Sequence, residues 1–146
     1  MPTLLPIDFL LIAACAWLAI GLAGILSPRN LFYIRKLMFP LGALVGVLAG
    51  LTSLSFLGST PETAVLVIGL PGLPFHLRLD NLAAVFVLLL GFASAGISVF
   101  AAGYFRKGEG TAAGLMCLQY RIFLASMLLV LLADHAYAFM VAWEGM

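Results

Sequence analysis

Apolar positions in this chain come in long blocks rather than with the period of an amphipathic helix or a half-buried strand. No charged residue interrupts the stretch from Phe9 to Pro28, from Leu37 to Pro61, or from Asn81 to Phe105. About 20 consecutive apolar residues cross the hydrocarbon of a bilayer as a helix. The pattern predicts spans over about 7–27, 37–57 and 81–105. Residues 114–146 hold two further apolar blocks divided by Asp134 and His135. As one helix they would be about 48 Å long, well beyond a bilayer. A break near Ala133-Asp134 gives a fourth span over about 115–132 and an incomplete one over 135–146. Between spans 2 and 3, Val65-Leu66-Val67-Ile68 reads as a strand, and Phe75-His76-Leu77-Arg78-Leu79 alternates. Pro71-Gly72 fits the centre of a type II turn. The expected fold class is all-α integral membrane, with four transmembrane helices plus an incomplete fifth and a short outer β-hairpin over about 64–79.

Composition sharpens this reading. Hydrophobic residues make up 64% of the chain and charged ones 9%, where soluble domains run near a quarter charged. Mean hydropathy is +1.20. A small soluble chain could not hide so much apolar surface, so the expected solvent is lipid. A net charge of +1 leaves no basic face for nucleic acid. Cys15 and Cys117 are far apart and have no metal-ligand spacing, so they read as small membrane-buried side chains. Ile12-Ala13-Ala14-Cys15 resembles a lipoprotein cleavage box. However, the apolar run continues to Leu26 without a basic n-region, so the segment reads as a retained span.

Charge orients the spans. With alternating spans, Arg29, Arg35, Lys36, Arg106 and Lys107 fall on one side, and Arg121 snorkels to it from the start of span 4. Of the seven basic residues only Arg78 is left opposite. The cytoplasm takes the basic side. The N-terminus is then outside, together with Glu62 and the outer-face carboxylates Asp80 and Asp134. Gly42, Gly46 and Gly50 recur every four residues and mark a helix-packing stripe, with a hinge as the weaker reading. Pro40 sits near the expected start of span 2, where its missing N–H costs little. His76 has no partner at ligand spacing and reads as a wet hairpin residue, not a metal ligand.

Glu144 stands apart from the other acidic residues. Ten positions beyond Asp134, it is expected about 15 Å deep, near the middle of a core about 30 Å thick. A carboxylate there is costly, by at least about 2.5–3.5 kcal/mol, and must be neutral or face water or a buried cation. Such a group suits proton relay. The bland alternative leaves the last segment uninserted and Glu144 in water. A helix from Asp134 to Met146 rises only about 18 Å, which would leave its last carbonyls in hydrocarbon. The chain is therefore expected to be part of a larger subunit.

Three stretches carry a resemblance: Phe75-His76-Leu77-Arg78-Leu79-Asp80, Phe123-Leu124-Ala125-Ser126-Met127-Leu128-Leu129-Val130, and Asp134 through Glu144 with its Trp143-Glu144 pair. They resemble the N-terminal part of the antiporter-like proton-channel subunits of respiratory complex I, Mrp antiporters and membrane-bound hydrogenases. Within that family the match is to the hydrogenase-4 component B and formate hydrogenlyase branch. The resemblance implies that Glu144 is a protonatable relay residue tuned by a Lys on a later helix, which this chain lacks. It also implies other membrane and peripheral subunits of an oxidoreductase complex as partners, and a multi-pass place in a bacterial inner membrane. Gly145 departs from the bulky apolar residue usual there. No haem, flavin, quinone or metal motif is present, so no cofactor is expected. The alternatives are a non-conducting assembly subunit and a small proton-coupled exporter. The exporter is disfavoured because its carboxylate belongs centrally in the first helix, and span 1 has no charge after Asp8.

Overall fold

The computed structural model describes residues 5–70, 73–105 and 112–146. Four helices are long and apolar enough to cross a membrane: α1 (Pro6–Ile25), α2 (Leu31–Phe56), α3 (Asn81–Tyr104) and α4 (Ala113–Leu132). A short α5 (Ala136–Trp143) follows α4. Strands β1 (Glu62–Leu70) and β2 (Leu73–Leu79) pair antiparallel between α2 and α3, with a register shift between Leu66 and Gly69. The all-α membrane fold with an interposed hairpin is as the hydropathy blocks require. The expected Pro71-Gly72 turn and the basic pair Arg106-Lys107 lie outside the described residues.

The helices pack as two principal antiparallel pairs, α2 on α3 and α1 on α4, with α1 also against α2. The interior is built from Leu10, Trp17, Phe56, Val87, Leu124 and Leu128, together with many alanines. Large apolar side chains such as Leu44, Leu48, Leu89, Phe92 and Phe100 point outward. In lipid such a surface has no hydrophobic cost, and close contact between helices falls to small residues. The α2–α3 seam follows this rule. A Cβ built on Gly46 would lie 2.7 Å from the carbonyl oxygen of Gly91, and one built on Gly91 2.6 Å from that of Gly46. Gly42 and Gly50 continue the stripe, Gly50 against the ring of Phe92.

The hairpin end of the bundle collects carboxylates because α1, α3 and α5 all begin there, and helix N-termini favour negative charge. Asp80 caps α3, accepting from the Ala83 N–H at 2.8 Å. Asp8 accepts from Leu5 N–H at 3.0 Å, and Glu62 from Ile7 N–H at 3.1 Å. At the opposite end, Arg35 Nε donates to the Ala102 carbonyl at 2.6 Å, serving one of the last carbonyls of α3.

One boundary, the start of the second span, differs from expectation. Helix α2 begins at Leu31, six residues before the expected 37, so Arg35 and Lys36 lie within its first turns. Asn30 caps it, accepting from Tyr33 N–H at 3.2 Å, and an end charge does not stop a helix that reaches beyond the hydrocarbon. Pro40 is consequently inside the helix and not near its start. Residues Ile34–Met38 form a π-turn just before it, with Phe39 N–H bonded to Ile34 O. A proline ring clashes with the carbonyl four residues back, and a widened turn is one of the ways a helix accommodates this.

The seam is testable. Gly91→Leu should destabilise the α2–α3 pair by more than about 1–3 kcal/mol, the usual cost of overpacking, because backbone and not a mobile side chain blocks the new atoms. Gly96→Ala, whose Cβ would meet nothing within 4 Å, should be neutral or stabilising by up to about 1 kcal/mol. Unfolding of the two variants in detergent micelles, compared with the parent chain, measures both.

Candidate functional site

Three places on this scaffold hold polar chemistry: the bundle interior at Arg121, the hairpin face around Asp80 and Asp134, and the end of α5 at Glu144. The first was not expected. Arg121 does not snorkel to an interface. It is fully buried, eight residues and about 12 Å into α4. Its side chain is enclosed in the bundle beside the carbonyls of Met38 and Phe39, where two glycines make room. The position of a Cβ on Gly42 is occupied by the guanidinium itself, and a Cβ on Gly21 would lie 3.0 Å from that of Arg121.

The guanidinium is held by neutral groups. Nη1 donates to Ser98 Oγ at 3.1 Å, Nη2 faces the carbonyls of Met38 and Phe39 at 3.5 Å each, and Nε has no partner. The rings of Tyr120 and Phe39 flank it, with centroids 5.1 and 5.7 Å from Cζ. Among the described residues the only ion pair is Arg78–Asp134, so no carboxylate answers Arg121. Trp17 Nε1 donates to Gly42 O at 3.2 Å, which ties α1 to the same point of α2. The sequence signal that could have revealed Arg121 was its position: a charge several residues inside an apolar block is by default functional or structural, not interfacial.

At the hairpin face, Asp80, Asp134 and Arg78 border one pocket of about 340 Å³, with Phe86 and Phe139 in its wall. Arg78 Nη1 is 4.0 Å from Asp134 Oδ1. Strand β2 is tied to the chain reversal between α4 and α5: Leu77 bridges Ala133, and Asp134 N–H donates to His76 O at 3.1 Å. Phe75, Leu77 and Leu79 are buried beneath it. The rings of His76 and His135 meet with centroids 4.5 Å apart, so His76 does have an imidazole neighbour that linear spacing concealed. Among the described residues no group of three or more His, Cys, Asp or Glu is gathered to hold a metal ion.

Glu144 follows the last residue of α5, its N–H bonded to Met140 O at 3.0 Å. Its side chain is exposed on the isolated chain. Because Ala133 to His135 run extended, α5 starts at Ala136, and Glu144 lies about 12 Å along it instead of about 15 Å. Its neighbour Gly145 is pressed against Ser126 of α4, whose hydroxyl occupies the place of a Cβ. Ser126 is six residues, about 9 Å, from the hairpin end of α4. A bulky residue at 145 would require α5 to move away from α4, which gives Gly145 a local packing role. Residues 42, 46 and 50 lie on α2, away from Glu144. Asp80 and Asp134 come together, and Glu144 is separate from both.

The burial of Arg121 makes a coupled prediction. Gly42→Ala should destabilise the chain by about 1–3 kcal/mol through the clash with the guanidinium, and the loss should shrink in an Arg121→Ser background. A double-mutant cycle of unfolding in micelles reads the coupling; additive effects would contradict the arrangement.

No family model matches the chain. It is similar to hydrogenase-4 component B of Escherichia coli (strain K12), with 37% identity over 70 residues. That stretch is 48% of this chain and 10% of the relative, so the chain spans a small part of that protein's length. The likeness supports a relation between this four-helix membrane chain and the family of hydrogenase-4 component B.

Proposed function

We propose that this chain forms part of an antiporter-like, proton-translocating membrane subunit of a hydrogenase-type or respiratory oxidoreductase complex, with Glu144 as a relay carboxylate. The carrying observation is the conjunction of the likeness to hydrogenase-4 component B with a carboxylate at the end of α5, roughly 9–12 Å below the hairpin face. In such a site the chemistry is reversible protonation: a carboxylate in low dielectric accepts a proton when no cation faces it and yields it when one does. A cationic partner on a neighbouring helix, outside this chain, supplies the second state. Asp80 and Asp134 are proposed as carboxylates on the side where protons enter or leave, and the glycine stripe holds the scaffold. The redox step belongs to partner subunits, membrane and peripheral.

The assembly-only reading is favoured by the tight glycine seam and the enclosed Arg121, which need no titration. One substitution separates the two. Glu144→Gln in the assembled complex should abolish proton pumping while leaving assembly intact, because the amide preserves shape and hydrogen bonding but cannot release a proton. Unchanged pumping, measured by dye quenching in vesicles, would leave only the assembly role.

We further propose that the chain is multi-pass in a bacterial inner membrane with its N-terminus outside, since Arg29, Arg35 and Lys36 gather at the end opposite the hairpin. Alkaline phosphatase fused within the hairpin should be active and fused after Lys36 inactive. The reverse pattern would invert the orientation.

A further inference from the structure

The juxtaposition of His76 on β2 with His135 at the start of α5 is not used by any relay through Glu144. We propose that these two imidazoles form a binding site for a borderline divalent transition ion of the zinc, copper or nickel class, at the hairpin face of the bundle.

Ring spacing is the first argument. An imidazole nitrogen binds such an ion at about 2.0–2.1 Å, which puts the metal about 3.1–3.2 Å from the ring centre. Two such ligands at bond angles of about 90–110° set the ring centres about 4.5–5.1 Å apart. The observed separation is 4.5 Å, with the ring planes 43° apart. The second argument is the state of the rings. His135 Nδ1 is 2.9 Å from the carbonyl oxygen of Asp134, to which it donates in the neutral tautomer. That fixes the ring and leaves Nε2 as a lone-pair donor, the arrangement common behind metal-bound histidines. His76 is half-buried and His135 exposed, so the ion has an open approach. Third, both backbones are already held in register, by the Leu77–Ala133 bridge and the Asp134 N–H to His76 O bond. Little order remains to be imposed on binding. With no third ligand gathered among the described residues, water completes the coordination. Imidazole donors favour these ions over magnesium and calcium.

Bound there, the ion links β2 directly to the first residue before α5. The site would thus fix the hairpin to the helix that carries Glu144, although the binding claim does not depend on a proton-relay role.

The test uses the purified chain in detergent with Cys15→Ser as background, because an exposed thiol is a competing ligand. Competition with a chromogenic chelator should give one zinc ion per chain, with affinity reduced at least about tenfold by His76→Ala and by His135→Ala. Calcium should not compete. With copper, electron paramagnetic resonance should show two imidazole nitrogens in the parent and one in each variant. Absence of binding overturns the proposal, as does affinity indifferent to both substitutions or a parent spectrum with a single nitrogen.

Discussion

Inside a bilayer nothing but the protein itself can answer a guanidinium, and Arg121 places that demand at the centre of this bundle. Each of the four long helices contributes. Gly21 of α1 accommodates the Arg121 Cβ, Gly42 of α2 yields the space for the charged plane, Ser98 of α3 accepts a hydrogen bond, and α4 supplies Tyr120 as a ring neighbour. Trp17 closes the arrangement by donating to the carbonyl of Gly42. The glycine stripe of α2 thus has two uses along its length. At Gly42 it admits a side chain, while at Gly46 it admits the backbone of α3. Close packing here follows from a polar requirement as much as from the small-residue contacts that drive association in lipid.

The layout was legible because crossing a membrane needs only length and the absence of charge, both of which are linear properties. Spans 1, 3 and 4 match α1, α3 and α4 closely for that reason. The hairpin was legible from the alternation of Phe75, Leu77 and Leu79, whose side chains are buried. What escaped depends on the third dimension. The start of α2 was misplaced because Arg35 and Lys36 were read as the end of a loop, although charges at a span's end sit comfortably in a continuing helix. Arg121 was assigned to the interface because its partners, Gly42 and Ser98, are distant in sequence. His76 lacked a partner for the same reason: His135 reaches it only once β2 pairs with Ala133. A carboxylate such as Asp80 was legible in position but not in use, since its side chain is occupied in capping α3.

The extended stretch from Ala133 to His135 ties these features together mechanically. It ends α4, starts α5 and carries the bridge to β2 in three residues. The bridge and the Asp134 N–H to His76 O bond join the hairpin to the residues just before α5, and at the other end of α5 Gly145, the neighbour of Glu144, bears on Ser126. The short α5 is thus held at both ends, by the strand bridge before it and by the contact of Gly145 with α4 after it.

Under the proposed function, Arg121 also constrains where protons can travel. Arginine keeps its charge under any physiological condition, and a fixed cation in a low-dielectric interior repels hydronium and other cations, as arginines in water-conducting pores do. The part of the core around Arg121 is then a barrier, positively biased by the buried guanidinium. A proton path involving Glu144 has to run along the face of α5 turned away from that core, where Glu144, Met140 and Trp143 are exposed. That face is apolar apart from Glu144, so its second wall, and the cation that would tune the carboxylate, must come from outside the four-helix core. Under that proposal the bundle contributes the insulation and the carboxylate, and the rest of the conduit is left to an adjoining helical surface.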